Sequence, residues 1–350
     1  MLDMLDILRA ARRHNASDVI LSAGVPPTYR VDGVLVATKG SPLPAQTLQG
    51  LLYTLLSSGQ VEEFEREKEL DFAFTLDGED RFRANLSIQR GSIAAAFRLL
   101  AREIPSLEDL HLPGLIGELA LSPQGLILVT GPTGHGKSTT QAAMIDLVNL
   151  QRRAHVITIE DPIEYVHENK NSVIEQREVG TDTQSFSHAL RHVLRQTPDV
   201  ILIGEMRDAE SISCALTAAE TGHLVIATLH TNDSVQAIDR LLDVFPPHQQ
   251  SQVRSQLSLS LLAVFAQRLV PKTGDRGRIP AVEILRITAG VAHLIRDQKV
   301  HQIYSMMETH GKEGMKTMDS SLKELYMKGE ISHEDARSRM RNPMLLDLGR

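Results

Sequence analysis

Polar and apolar positions follow two different rhythms along this chain of 350 residues, and the rhythm changes near residue 100. Before the change, segments are short and alternate. Leu2, Leu5, Leu8 and Ala11 or Arg12 fall on successive turns of an amphipathic helix over residues 2–13. Residues 18–21 read as a strand. Tyr29-Arg30-Val31 and Val34-Leu35-Val36 flank Asp32-Gly33, a two-residue hairpin signal. Leu48, Leu51, Leu52, Leu55 and Leu56 mark a helix, and the charged stretch 62–69 reads as a solvated helix face. Residues 71–76, 81–88 and 93–100 alternate as strands, with turns at Asp77-Gly78-Glu79 and Arg90-Gly91-Ser92. The pattern predicts a small α+β domain with an antiparallel sheet over residues 1–100.

From residue 125 the alternation gives way to unbroken apolar runs separated by helix-spaced segments, which predicts a parallel sheet with helices on both faces. The runs are 125–130, 155–159, 200–203 and 224–229. Residues 138–150, 185–196 and 211–221 read as helices, and Leu257, Leu261, Leu262 and Phe265 predict one long helix over 251–269. Beyond residue 286 several helices follow, with a loop at Gly311 and Gly314. The expected domains are 1–100, 101–290 and a helical segment 291–350, with the first connection near residue 101.

Composition narrows the classes. Net charge is −7, which argues against nucleic acid as the main partner. Cys214 is the only cysteine, so no disulfide framework and no four-thiolate zinc site can form within the chain. The N-terminus carries acids and no long apolar run, and no stretch nears the roughly 20 residues that span a bilayer. A soluble, cytoplasmic protein is expected, reaching any membrane through a partner.

The strongest local signal is Gly131-Pro132-Thr133-Gly134-His135-Gly136-Lys137-Ser138, followed by Thr139. It fits G-x-x-x-x-G-K-[ST], between an apolar strand and a helix. Glycines let backbone N–H groups turn toward phosphate oxygens, and the helix N-terminus adds positive potential. Lys137 would reach the β- and γ-phosphates of a nucleoside triphosphate, and Ser138 would ligate Mg²⁺. The His135 backbone matters in the loop, while its side chain is expected to point out.

Ligand sites in open parallel sheets form at the carboxyl ends of strands. Four such ends carry polar signals: the phosphate loop, Glu160-Asp161 with Glu164, Glu205, and His230. Glu205 could hold Mg²⁺ through water or orient the attacking water. Glu164 competes for the second role, and Glu160 and Asp161 stay open. His230, with His223 near it in sequence, could donate to the γ-phosphate. Arg81, Arg83 and Arg98 of the first region are either carboxylate-paired surface arginines or groups that neutralise transition-state charge at a neighbouring subunit's nucleotide.

Three further segments complete a recognisable set: Ile159-Glu160-Asp161-Pro162-Ile163-Glu164-Tyr165, Gly204-Glu205-Met206-Arg207-Asp208, and Thr221-Gly222-His223 through Thr228-Leu229-His230-Thr231. They resemble the aspartate box, Walker B segment and histidine box of secretion ATPases. Gln176-Arg177-Glu178-Val179-Gly180, Leu294-Ile295-Arg296, His301-Gln302-Ile303-Tyr304-Ser305 and Gly314-Met315-Lys316-Thr317-Met318-Asp319 resemble segments of the PilT family, the retraction motors of type IV pili. The resemblance covers nearly the whole chain. It implies a PAS-like first domain, a RecA-like second domain and a homo-hexamer that binds ATP and Mg²⁺ and works with an inner-membrane platform protein. Arg83 and Arg98 would reach ATP at the junction with the neighbouring subunit. His135 stands where that family usually has serine, and Asp297-Gln298-Lys299 departs from its pattern. Extension and secretion ATPases generally carry an extra N-terminal domain, and many a four-cysteine zinc subdomain. One cysteine and about a hundred residues before the core therefore imply retraction. The alternatives are an extension or type II secretion ATPase and a non-hydrolysing accessory ring.

Overall fold

In a computed structural model of the chain, the described residues are 3–31, 33–78, 80–100, 102–274 and 277–346. They form two compact units: Met1–Glu103 with Pro162–Tyr165, and Ile104–Asp161 with Val166–Arg350. Residue 101, where the sequence places the domain connection, lies outside the described residues.

The first unit runs α1 (Met4–Arg13), β1 (Asp18–Ser22), β2 (Thr28–Val31), β3 (Val34–Ala37), α2 (Ala45–Tyr53), α3 (Ser58–Glu67), β4 (Glu69–Leu76), β5 (Asp80–Gln89) and β6 (Ser92–Leu99). Its sheet is antiparallel, in the order β3-β2-β1-β6-β5-β4. This is the small α+β arrangement that the alternation implied, and its antiparallel sheet suits the PAS-like domain that the resemblance implied. Asp3 caps α1 by accepting from Leu5 N–H, and the buried stripe is Met4, Ile7, Leu8 and Ala11. Sequence spacing put Leu2 and Leu5 on that stripe. Leu5 is only half-buried, and Leu2 lies outside the described residues. Val31 pairs with Val34, so β2 and β3 join through two residues. Of these Gly33 has φ +81°, and Asp32 is outside the described residues, as is Glu79 of the β4–β5 turn. Phe82, Ala84, Leu86, Ala95 and Phe97 fill the core from β5 and β6, while Arg83 and Arg98 between them face water.

The second unit runs α4 (Gly114–Ala120), β7 (Gly125–Thr130), α5 (Lys137–Gln151), β8 (His155–Glu160), β9 (Val173–Glu178), α6 (Phe186–Val193), β10 (Val200–Ile203), α7 (Ala209–Glu220), β11 (Leu224–Leu229), α8 (Ser234–Asp243), α9 (Pro247–Ser260), β12 (Leu261–Pro271) and β13 (Arg278–Arg286). Helices α10 (Ala289–Arg296), α11 (Ile303–Thr309), α12 (Met318–Met327) and α13 (His333–Arg339) follow. The seven-stranded order is β13-β12-β7-β11-β10-β8-β9. Both faces are buried. Ile127, Val129, Val156, Leu202, Ile226 and Phe265 pack toward α4 and α5. Leu126, Leu128, Ile157, Ile201, Val225 and Val264 pack toward α6 to α10. That double burial is why these strands read as continuous apolar runs.

Two expectations are corrected here. The sheet is mixed: β12 runs parallel to β7, but β13 returns antiparallel beside it. The expected helix over 251–269 is two elements. Helix α9 ends at Ser260, and Leu261 to Ala266 continue as β12. A short apolar run satisfies helical spacing and a strand buried on both faces equally well. Here the open edge of β7 decides. Strand β9 and helix α8 also went unassigned from sequence. Among the described residues, no helix is long and apolar enough to cross a membrane.

Candidate active site

Strand β7 delivers the phosphate loop, and its last residue ties that loop to the end of β11. Thr130 Oγ1 accepts from the Thr231 N–H at 3.0 Å and lies 2.8 Å from the Thr231 carbonyl. This lock brings His230 beside the loop. The loop turns through Gly131, Gly134 and Gly136 at φ +141°, +76° and +84°. At Gly131 a side chain would collide with the Gln267 carbonyl oxygen, so only glycine fits there. Helix α5 starts at Lys137, directly after the loop, so its first N–H groups face where an anion would lie.

Lys137 is 7% exposed, an unusual burial for a lysine. Its Nζ donates to the Gly131 and Pro132 carbonyls at 2.9 and 3.0 Å and lies 3.5 Å from His230 Nδ1. His230 Nε2 sits 3.1 Å from Glu205 Oε1, and Arg207 Nη2 donates to Glu205 Oε2 at 2.6 Å. One neutral tautomer of His230 satisfies both sides: Nδ1 faces the ammonium as acceptor and Nε2–H donates to the carboxylate. Burial alone would push the Glu205 pKa up. The Arg207 hydrogen bond, the Arg207 charge and the His230 hydrogen bond outweigh it and hold the carboxyl below its usual range.

Glu205 is placed by its flanks. Gly204 N–H donates to the Ile159 carbonyl at 2.8 Å and Met206 N–H to the Thr228 carbonyl at 3.2 Å. The Thr228 hydroxyl donates to the Gly204 carbonyl. The carboxylate therefore leaves the end of β10 between the ends of β8 and β11. Glu160 accepts from Thr158 Oγ1 at 2.6 Å and Gln176 Nε2 at 3.1 Å, which turns it along its own sheet. Asp161 is exposed. Glu164 is half-buried and belongs to the first unit, where Arg81 Nε holds the neighbouring Ile163 carbonyl at 3.1 Å.

Two site expectations are corrected. His223 precedes β11, whereas His230 follows it. Six strand residues, about 20 Å at ~3.3 Å each, separate them, so His223 cannot touch a nucleotide in its own chain's loop. Its Nδ1 instead lies 2.9 Å from the Ala218 carbonyl at the end of α7. The His135 side chain does not point out. Its Nδ1 accepts from the Leu269 N–H of β12 at 3.0 Å. Burial, then the positive charges of Arg278 and Lys137, lower its pKa and keep the ring neutral, as that acceptor role requires. Sequence reading missed Gln267 and Arg278, whose side chains hold the loop from β12 and β13. For Gln267 the available signal is an apolar run before Pro271, which fits helical spacing as well as it fits a strand.

In the first unit, Arg83 and Arg98 stand directly opposite each other on β5 and β6. Arg98 Nε pairs with Asp18 at 3.0 Å, and Asp18 also pairs with Arg30 at 3.2 Å. Arg83 has no acceptor among the described residues. Like charges directly opposite on adjacent strands destabilise a sheet, so this arrangement is not explained by the stability of the unit.

The geometry gathers a glycine loop, a buried lysine and a carboxylate–histidine pair at the strand ends of a RecA-like sheet, and the comparisons bear on the fold and family. The family described as "Type II/IV secretion system protein" matches residues 114–338. The chain is 46% identical over 342 residues to "Type IV pilus retractation ATPase PilT" of Pseudomonas aeruginosa, covering 98% of this chain and 99% of that one. It is 43% identical over 339 residues to "Twitching motility protein" of Neisseria gonorrhoeae, covering 97% and 91%. The solved structure "Crystal Structure of the Pilus Retraction Motor PilT and Bound ADP" aligns with a TM-score of 0.93 and 47% identity, over 99% of this chain and 100% of that chain. The chain belongs to the PilT family of secretion ATPases.

Proposed function

We propose that this chain is a Mg²⁺-dependent ATPase that acts as a homo-hexamer and powers type IV pilus retraction. The observation that carries the reading is the line Lys137–His230–Glu205 across three strand ends beside a glycine loop. ATP's phosphates fit the loop because a buried ammonium and helix-start N–H groups converge on it. Ser138 and Glu205 would hold Mg²⁺, which would supply positive charge against the phosphates. Among the described residues no ready-made metal cage exists. That fits an ion bound by one or two protein groups together with substrate phosphates.

Lys137 neutralises the β- and γ-phosphates. Glu205, kept ionised, aligns the attacking water, and His230 donates its Nε2–H to the γ-phosphate once that N–H leaves Glu205. Arg83 and Arg98 supply positive charge to a neighbouring subunit's nucleotide in the ring. In the second reading Glu164 positions the water. The ring works at the inner face of the cell membrane on the pilus platform protein, without inserting into the bilayer and without nucleic acid. Similarity along nearly the full length of a retraction ATPase, together with the single cysteine, favours retraction over extension.

Deleting the gene tests direction. The expected result is cells that remain piliated but no longer twitch. Loss of surface pili, restored by the wild-type gene, would assign extension instead.

A further inference from the structure

Strand β12 continues past the end of β7. Ala266 pairs with Thr130, so Gln267 to Leu269 run beside the phosphate loop. Gln267 is 4% exposed, and both polar atoms of its side-chain amide are engaged. Nε2 donates to the His135 carbonyl at 2.9 Å, and Oε1 accepts from Thr140 Oγ1 at 2.8 Å. One amide thus bridges the loop and the first turn of α5, on either side of Lys137 and Ser138. Gly136 leaves the room for it: a Cβ there would stand 2.8 Å from Nε2.

These bonds have a consequence for the N–H groups. In a trans peptide the carbonyl of one residue and the N–H of the next point in opposite directions. Drawing the His135 carbonyl outward onto Gln267 turns the Gly136 N–H inward. Arg278 Nη1, donating to the Gly134 carbonyl at 3.2 Å, does the same for the His135 N–H. Inward N–H groups are what an anion-binding loop needs.

We propose that Gln267 is a positioning residue for nucleotide phosphates, acting through the orientation of the Gly136 N–H rather than by touching substrate. The proposal rests on the ATPase reading above. It makes β12 a support of the nucleotide site, through an amide that bonds the loop and α5.

The test is nucleotide binding and steady-state kinetics on the purified full chain. Gln267→Met keeps length and removes both bonds. Gln267→Glu keeps the acceptor for Thr140 and replaces the donor with a charge that repels the His135 carbonyl. Thr140→Val removes only the helix-side bond. With one aligned donor lost, ADP and ATP should bind about tenfold more weakly in Gln267→Met. The loss should be at least as large in Gln267→Glu and about threefold in Thr140→Val. KM should rise with kcat at saturating ATP changed by less than the affinity, and the loss should shrink for AMP, which has one phosphate. The Gln267→Met and Thr140→Val losses should be less than additive, because both act through the same amide. Folded Gln267→Met and Gln267→Glu with wild-type affinity for ADP would overturn the inference alone. An equal loss for AMP, ADP and ATP would do so too, since it marks general loosening of the fold. Should Gln267→Met not fold, the other two variants decide between these outcomes. A folded wild type that binds no nucleotide would overturn the ATPase reading, and this inference with it.

Discussion

In the first unit's sheet, strands adjacent in sequence are mostly adjacent in space: β1, β2 and β3 form one meander, β4, β5 and β6 another. In the second unit the central neighbours come from distant parts of the chain, as where Leu126 of β7 pairs with Leu261 of β12. The faces differ as well. The antiparallel sheet leaves one face wet, and a row of charge crosses it from Arg30 through Asp18 and Arg98 to Arg83. The other sheet is covered on both sides, so its chemistry is confined to strand ends, where Lys137, Glu205 and His230 meet. The strand ends therefore suit phosphate binding, and the exposed face suits lending charge to another molecule.

The largest expected effect separates roles within the strand-end site. Lys137→Ala should reduce ATP turnover to background and weaken nucleotide binding together, because the buried ammonium meets the phosphates before and during reaction. Glu205→Gln should bind ATP about as tightly as wild type and lose roughly 1,000-fold in kcat, since the amide keeps the shape and drops the charge. Turnover and nucleotide titration on the same preparations check both. An inactive Glu164→Gln beside an active Glu205→Gln would exchange the two carboxylate roles.

The second effect joins the two sheets. Arg83→Ala should lower kcat by about 100-fold, less than a sole arginine finger would, because Arg98 remains. Nucleotide affinity should hardly change. The substitution also removes a like-charge opposition, so the melting temperature should not fall. Arg98→Ala breaks the Asp18 pair as well and should cost some stability. Mixing Arg83→Ala with Lys137→Ala subunits should restore part of the activity, since mixed rings contain some intact sites. Demonstrably mixed rings without recovery would place Arg83 at its own chain's nucleotide, or at none.

What the sequence disclosed follows the same division. Alternation fixes which face of β5 is wet, so Phe82, Ala84 and Leu86 were legible as core and Arg83 as exposed. The phosphate loop was legible because glycine spacing, lysine and a following helix are all local. Strand β12 was not, because its only local signal is apolarity, and what makes it a strand is the edge of β7, more than a hundred residues away. Gln267 was lost with it. His223 was misplaced for the opposite reason: nearness to His230 in sequence hid the length of the strand between them. His135 turned inward because β12, unseen from sequence, offers the Leu269 N–H.

The smallest effect concerns a buried ionisable group of the second unit. His167 lies in the loop between β8 and β9, and burial lowers its pKa to about 4. Asp146 opposes that shift and Lys170 adds to it, both less than burial does. The unfolded chain takes up this proton as pH falls below about 6.5, whereas the folded chain does not until about 4. The neutral ring thus favours the fold fully above about 6.5, and the advantage erodes between there and 4 at about 1.4 kcal/mol per pH unit. His167→Gln cannot titrate. Thermal melts at pH 7.5 and 5.5 should show a smaller acid-induced drop for His167→Gln than for wild type, by about 1 kcal/mol at the lower pH. Equal drops would mean that the folded protein protonates His167 as readily as water does, and that burial in this loop does not exclude the charged ring.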